Sequence, residues 1–383
     1  HDRPGRRPRL SGRMMAGSAR VALLSLDSFD PDLLSSERTP HIWALAQAGG
    51  VAPDGGRADL PAVTYVSHAT LLTGRRNLAH GVTSNLAGHP RAGVVPGWAG
   101  ATRVQTPSLF EACRAAGVRS AAVFGDQYLH RILGAEAADA SWPPAGDLPA
   151  GAPVDPNGYA ANEAIRPYLL RAAADPDVRF LFGHINEPDT WGHRRGPRHA
   201  DTLAAYAAAD RLVGETLAAL RPDWQRTLIA VVSDHTMEPP SDAPPIDLLA
   251  HPAVRAVAAG VVEEGGSALL LLRDGVSSDE AGTALLDVVG VAGWRPLTSE
   301  ALLVEGAPGS RFAAGGGKGL AGIHGGAGTT RTMAVVGGGH PAVGRIARAF
   351  ANAPPHLADW APTIAAVLGI SLAEADGRDL SRG

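Results

Sequence analysis

The sequence predicts an α/β fold: a mostly parallel sheet with helices on both faces and a smaller inserted α+β cap. Three observations lead there. The segments "RVALLSLD" (20–27), "VRFLFGHIN" (178–186) and "RTLIAVVSD" (226–234) are short, nearly continuous apolar runs, the pattern of parallel strands covered on both faces. Helical patterns lie between them, and such alternation is the grammar of a parallel sheet. After Met237 the texture changes, with the proline-rich exit "EPPSDAPP".

The elements follow in order. "TPHIWALAQAGG" opens with Thr-Pro and ends at Gly, the N-cap, N1 and C-terminal signs of a helix. "LPAVTYVSHATLLTG" (60–74) reads as a turn, a helix start and a small-residue run. Thr64 stands at the mouth of that helix, where a hydroxyl makes a good N-cap. "TPSLFEACRAAGV" repeats the Thr-Pro opening and holds the single cysteine, Cys113, which cannot form an internal disulfide and reads as a buried thiol. "NEAIRPYLLRAAA" and "ADTLAAYAAADRLVGETLAALR" read as helices. From about residue 243, "SALLLLRDG" reads as a strand and "SSDEAGTALLDVV" as a helix of the cap. "AAGGGKGLAGIHGGAG" is a glycine-rich return, and "TMAVVGGG" with "HLADWAPTIAAVLGI" resumes the strand-then-helix order. The expected organisation is a disordered tail at 1–18, a core at 19–238 plus 312–383, and a cap at 239–311.

The totals set limits. With 383 residues the chain can bury a large core, as one domain with an insertion or as two. A hydrophobic content of 45% with 19% charged residues is that of a soluble globular protein. The formal net charge of −4 gives no case for a nucleic-acid polymer or an anionic membrane as partner. No apolar run reaches the ~18 residues of a membrane span. The arginine-rich start, with Met14 and Met15 as candidate initiators, leads into a strand without a separate apolar stretch and does not read as a signal peptide. A cytoplasmic address is the expectation, and a homodimer is left open.

Chemistry gathers at the strand ends, where open α/β sheets bind ligands. The first strand closes on Asp27, the second runs into "NEPDTWGH", and the third ends "SDH". Asp189 and His193 are four apart, so one helical turn brings both to one side, and Gly192 permits close backbone approach. Asp234 and His235 are adjacent, and His324 is flanked by glycine. Carboxylates and imidazoles suit Zn, Mn or Fe, and six such groups are enough for two divalent metal ions. Two ions ~4 Å apart serve in-line displacement at phosphorus, and a threonine hydroxyl on such a metal can lose its proton near neutral pH.

At this point the residues resemble a known family. The pieces "LLSLDSFDPDLL", "TPHIWALAQAGGV", "LPAVTYVSHATLLTGRRNLAHGVTSN", "EPDTWGHRRGP", "VVSDHTM", "IHGG" and "LADWAPTIAAVLGI" are similar in order and spacing to the alkaline phosphatase superfamily, in particular its type I phosphodiesterase/nucleotide pyrophosphatase branch, which includes phosphonoacetate hydrolases. The resemblance implies an alkaline phosphatase-like sheet. It makes Thr64 the nucleophile and a ligand of one metal with Asp27, Asp234 and His235. It gives the second metal Asp189, His193 and His324, and matches Asn85 to an amide that helps hold phosphoryl oxygens. The chain departs from the pattern at "DSF", where Asp-Gly is usual, at "DHTM", where Gly follows the histidine, and at Val66 and Ser67, where Pro-Asn is common.

For the substrate, "VFGDQYLHRILG" (123–134) lacks the lysines by which phosphonoacetate hydrolases hold a carboxylate, and Asp126 would repel one. Tyr65 falls where nucleotide pyrophosphatases place an aromatic against the base, and Tyr128 and Phe124 could supply a second face. His130 reads as a surface residue. The resulting expectation is a hydrolase of small phosphodiesters or nucleotides acting through phospho-threonine. A phosphomonoesterase or phosphonate hydrolase is the enzymatic alternative, and a metal-retaining binding protein without turnover the non-enzymatic one. Ser67 with His68 has no Gly-x-Ser-x-Gly elbow to make a serine hydrolase.

Overall fold

The computed structural model describes residues 19–89, 93–96, 103–313, 319–372 and 374–382. The proposed tail at 1–18 lies outside them. Seven strands form the central sheet. They are β1 (Arg20–Leu26), β2 (Gly50–Val51), β3 (Ser120–Phe124), β4 (Ala140–Trp142), β5 (Phe180–Ile185), β6 (Thr227–Val232) and β11 (Ala334–Gly338), ordered β2-β11-β6-β1-β5-β3-β4. β6, β1, β5, β3 and β4 run parallel, while β11 lies antiparallel between β6 and β2.

The period of two along a strand explains why the parallel strands read as unbroken apolar runs. On one face Val21, Leu23, Phe180, Phe182, Leu228 and Ala230 join a core with helices α2 (Thr64–Thr73), α3 (Leu109–Ala115), α8 (Ala342–Asn352) and α9 (Trp360–Leu368). On the other face Ala22, Leu24, Leu181, Ile229 and Val231 pack with α1 (Pro40–Ala48), α4 (Asn162–Ala174) and α6 (Ala200–Leu220). Each large aliphatic side chain buried this way stabilises the fold by about 1.5–3 kcal/mol. Cys113 is buried in the first of these cores, as its sequence context implies.

Local signals shift one helix start and change one cap. α3 begins at Leu109, not after Thr106-Pro107, because Ser108 and Glu111 form a capping box in which the Glu111 carboxylate accepts the N–H of Ser108 at 2.9 Å. At α1, Pro40 is the first residue, but the Thr39 hydroxyl donates back to Ser35 and does not cap.

A second sheet, antiparallel and four-stranded, is ordered β7 (Ala258–Glu263), β8 (Ser267–Leu272), β10 (Ala301–Gly306), β9 (Val291–Thr298), with α7 (Ser278–Leu285) packed on it. Its other face buries Val262, Leu269, Leu271 and Leu303 against Leu60 and Ala62, the residues that lead into α2. The cap sheet therefore rests on the segment that presents Thr64. Among the described residues no helix is long and apolar enough to cross a membrane.

Candidate active site

The three adjacent strands β6, β1 and β5 deliver their carboxyl ends to one place. Asp27 follows β1, and Asp234 and His235 follow β6. After β5, helix α5 (Glu187–Arg195) carries Asp189 and His193 one turn apart, with Asp189 Oδ1 3.5 Å from His193 Nε2. Gly192 has a packing reason to be glycine, since a Cβ there would stand 2.5 Å from the Met237 sulfur. A Cβ on Gly322 would stand 2.4 Å from the same sulfur, so Met237 packs against glycine in both the His193 and the His324 segments.

Thr64 does not cap its helix. Val63, in extended conformation, is the N-cap residue of α2, and Thr64 is the first helical residue. Its hydroxyl instead lies 3.4 Å from His235 Nε2. The same Nε2 is 3.1 Å from Asp234 Oδ2 and 3.7 Å from Asp27 Oδ1. Asp189, His235 and His324 make a second close group, with His324 Nε2 3.7 Å from Asp189 Oδ1 and the His235 and His324 rings stacked at 4.0 Å. His235 thus lies between the two groups. His193 sits against Asp189 at the edge, outside the tightest cluster.

Hydrogen bonding fixes how these imidazoles face. His193 Nδ1–H donates to the Gly322 carbonyl at 2.9 Å, His324 Nδ1–H to Ala62 at 3.2 Å, and His235 Nδ1–H to Thr236 at 3.1 Å. Each ring therefore turns its Nε2 toward the carboxylates. Burial holds His324 well below the usual imidazole value and His235 down to about 4, so neither carries a proton on that nitrogen at neutral pH. Burial, then the nearness of Asp234 and Asp189, holds the Asp27 carboxyl well above the carboxylate range. Asp234 is raised as well, by burial. Asp27 Oδ1 and Asp234 Oδ2 are buried without any hydrogen-bond donor. Lone pairs facing lone pairs at 3.1–3.7 Å, in a largely buried site, are what a divalent cation would resolve. The donor set fits such ions.

A second layer supports this set, and the sequence reading did not assign it that role. His184, fully buried in β5, accepts the Asp126 N–H at Nδ1 (3.1 Å) and donates from Nε2 to Asp27 Oδ2 (3.1 Å). His68, in α2, donates from Nδ1 to the Thr64 carbonyl (2.8 Å), and its Nε2 accepts from the Ser25 hydroxyl (2.8 Å). Ser67 makes no contact with it of a catalytic kind, and its hydroxyl is without a partner. The signal for His184 is a lone imidazole in an otherwise apolar strand, paired in register with Ser25.

Asn85 turns its Oδ1 to accept the N–H of Tyr65 at 2.9 Å, which leaves its NH₂ group as the donor it can offer a ligand. The aromatic expectations need correction. Phe124 is fully buried among Phe110, Phe182 and His130 and presents no face to a ligand. The Tyr65 side chain is buried too, with its hydroxyl bonded to Asp126. Tyr128 is half-buried, edge-on to Tyr159 at 6.3 Å. Asp126 is no surface charge: burial pushes its carboxyl up to about 7 while Tyr65 and the Tyr128 N–H bond it. The case against a carboxylate substrate therefore rests on the missing lysines alone. His130 is buried, with Nε2 3.0 Å from the Ser141 hydroxyl, and is not the surface residue expected.

The family profile for type I phosphodiesterase / nucleotide pyrophosphatase matches residues 21–278, which include every clustered residue except His324. The chain belongs to this family of metal-dependent phosphoester hydrolases. Over 244 residues it is 28% identical to the venom phosphodiesterase of Naja atra, a stretch that makes up 57% of this chain and 26% of that protein. The match thus spans about a quarter of that relative's length. Among solved structures, murine ectonucleotide pyrophosphatase / phosphodiesterase 5 superposes with a TM-score of 0.71 at 16% identity, covering 94% of this chain and 97% of that one. The figures are the same for an inactive variant of that enzyme in complex with AMP. Phosphonoacetate hydrolase from Sinorhizobium meliloti 1021, in complex with phosphonoformate, gives 0.67 at 17% identity, covering 84% and 90%. These structural likenesses establish an alkaline phosphatase-like fold.

Proposed function

We propose that this chain is a two-metal hydrolase of phosphate esters, acting on small phosphodiester or nucleotide-type substrates through a phospho-threonine intermediate at Thr64. The observation that carries the reading is the inward convergence of three imidazole Nε2 atoms and the oxygens of Asp27, Asp189 and Asp234 beside the Thr64 hydroxyl. Asp27, Thr64, Asp234 and His235 would hold one divalent ion, and Asp189, His193 and His324 the other. Zinc is the ion the donors suit best. When bound, such ions supply positive charge that favours a deprotonated hydroxyl and offsets charge on phosphoryl oxygens.

The chain's own residues would divide the remaining work. The Thr64 hydroxyl releases its proton to water, and Oγ1 forms a bond to phosphorus as the P–O bond to the leaving group breaks. The leaving oxygen departs with that electron pair and takes a proton from water. A water molecule then attacks the phospho-threonine and restores the hydroxyl. The Asn85 NH₂ group, whose Oδ1 is held by the Tyr65 N–H, would donate to phosphoryl oxygens. The N-terminus of α2, at which Thr64 stands, adds the partial positive charge that favours an anion. The family description and the phosphodiesterase among the relatives support a diester over a plain monoester.

The test compares the zinc-loaded protein with its Thr64→Ala variant on bis-p-nitrophenyl phosphate and p-nitrophenyl phosphate. The reading expects faster cleavage of the diester and a loss of roughly 10⁴-fold or more in the variant, the scale of removing a nucleophile. A preference for the monoester would move the enzyme to the phosphatase alternative. Equal inactivity of both proteins on both esters would count against ester hydrolysis.

A further inference from the structure

Ser28 is one of two described residues other than glycine with a left-handed backbone, at φ 58°. For a residue with a Cβ that conformation is strained, so something must hold it. Ser28 is fully buried and joined to three of the clustered side chains at once. Its N–H donates to Asp234 Oδ1 at 3.1 Å, and its hydroxyl donates to Asp189 Oδ1 at 2.7 Å. The same Oγ lies 3.2 Å from His235 Nδ1. Its carbonyl accepts the Tyr206 hydroxyl at 2.7 Å, which pins the backbone from α6.

The proton count defines the arrangement. A serine hydroxyl has one proton, and the short bond to Asp189 uses it, so toward His235 the oxygen can only accept. His235 must then carry its proton on Nδ1, shared between Ser28 Oγ and the Thr236 carbonyl, with Nε2 bare toward Asp27 and Asp234. One side chain thus reinforces, beside the Thr236 carbonyl, the orientation of His235 and fixes that of Asp189. Glycine at this position would keep the backbone conformation without strain and would keep the N–H to Asp234, but it would lose both side-chain links.

We propose that Ser28 is a positioning residue that ties the two halves of the metal centre into one preorganised unit. This rests on the reading of the cluster as a two-metal site. Groups that orient metal ligands in this way contribute about 10–100-fold to metal affinity.

The experiment measures zinc affinity and stoichiometry by competition with a chromophoric chelator, and the melting temperature of the chelator-treated protein, for native, Ser28→Gly and Ser28→Ala forms. The inference expects Ser28→Gly to bind zinc about 10–100-fold more weakly while its metal-free form melts no lower than the native one, because backbone strain is relieved. Ser28→Ala keeps the strain and should show the same loss of affinity with a lower metal-free melting temperature. Native affinity in Ser28→Gly, with native protein binding two zinc ions, would overturn the positioning role alone. Failure of the native protein to bind zinc would overturn the metal-centre reading and this inference with it.

Discussion

Glu264, in the turn between β7 and β8, reaches from the cap sheet to Asn85: its Oε1 accepts the Asn85 N–H at 2.9 Å and the Leu86 N–H at 3.3 Å. Asn85 in turn holds the N–H of Tyr65, next to Thr64. The same turn grips the other side of the site, since the Gly266 N–H donates to the His324 carbonyl at 2.8 Å. The cap is thereby tied to the core at two of the residues proposed to do chemistry.

That carboxyl leads to a pH prediction. Burial raises Glu264 from 4.5 to about 8, against the opposing effect of the two N–H donors. The folded state therefore keeps a proton that the unfolded chain releases between those values. The stability linked to it is complete below 4.5 and is lost as pH rises through about 8. Urea melts across that range should show the difference between native protein and Glu264→Gln narrowing or reversing toward alkaline pH, because the variant has no such titration. A difference that stays constant with pH would show that Glu264 does not titrate there.

His184 supports Asp27 from beneath with a 3.1 Å hydrogen bond. His184→Leu should weaken zinc binding by about 10–100-fold and cost about 1–3 kcal/mol of stability, because the Asp126 N–H and Asp27 Oδ2 lose their partner. His184→Gln, which can place an N–H near the same point, should recover most of the affinity. Chelator competition and urea denaturation check both, and equal losses in the two variants would point to packing as the cause.

Tyr65 is a structural hydroxyl by its surroundings, since it is buried and bonded to Asp126. Tyr65→Phe should lower unfolding free energy by about 1–3 kcal/mol and leave KM for a nucleotide diester close to native. Tyr65→Leu would then also leave KM close to native. A rise in KM confined to nucleotide substrates in that second variant would restore the base-stacking role.

The strands were legible because burial on both faces writes itself as unbroken apolar runs, as in "RVALLSLD" and "RTLIAVVSD". Strand β3 was not, since its "SAAVF" is short and alanine-rich and alanine marks no element by itself. Asp27, Asp189, His193, Asp234 and His235 could be found because each stands just after a readable strand or one helical turn beyond, and His324 because glycines set it apart in its loop. The aromatic expectations failed for a different reason. A ring next to the nucleophile in sequence can turn inward, and only tertiary packing shows that Phe124 and Tyr65 do. His184 and Ser28 stayed hidden because a single polar residue inside or just after an apolar strand carries no periodic signal. Their partners, Asp27 and Asp189, come from distant parts of the chain.

The central claim is that Thr64 takes the phosphoryl group before water does. Zinc-loaded protein mixed with bis-p-nitrophenyl phosphate, quenched in acid during turnover and digested for peptide mass spectrometry, tests this directly. The account predicts one aryl phosphoryl group on the peptide containing "LPAVTYVSHATLLTG", mapped to Thr64 and absent from Thr64→Ala. Turnover at the native rate with no modified peptide, or with the group on another residue, would contradict it.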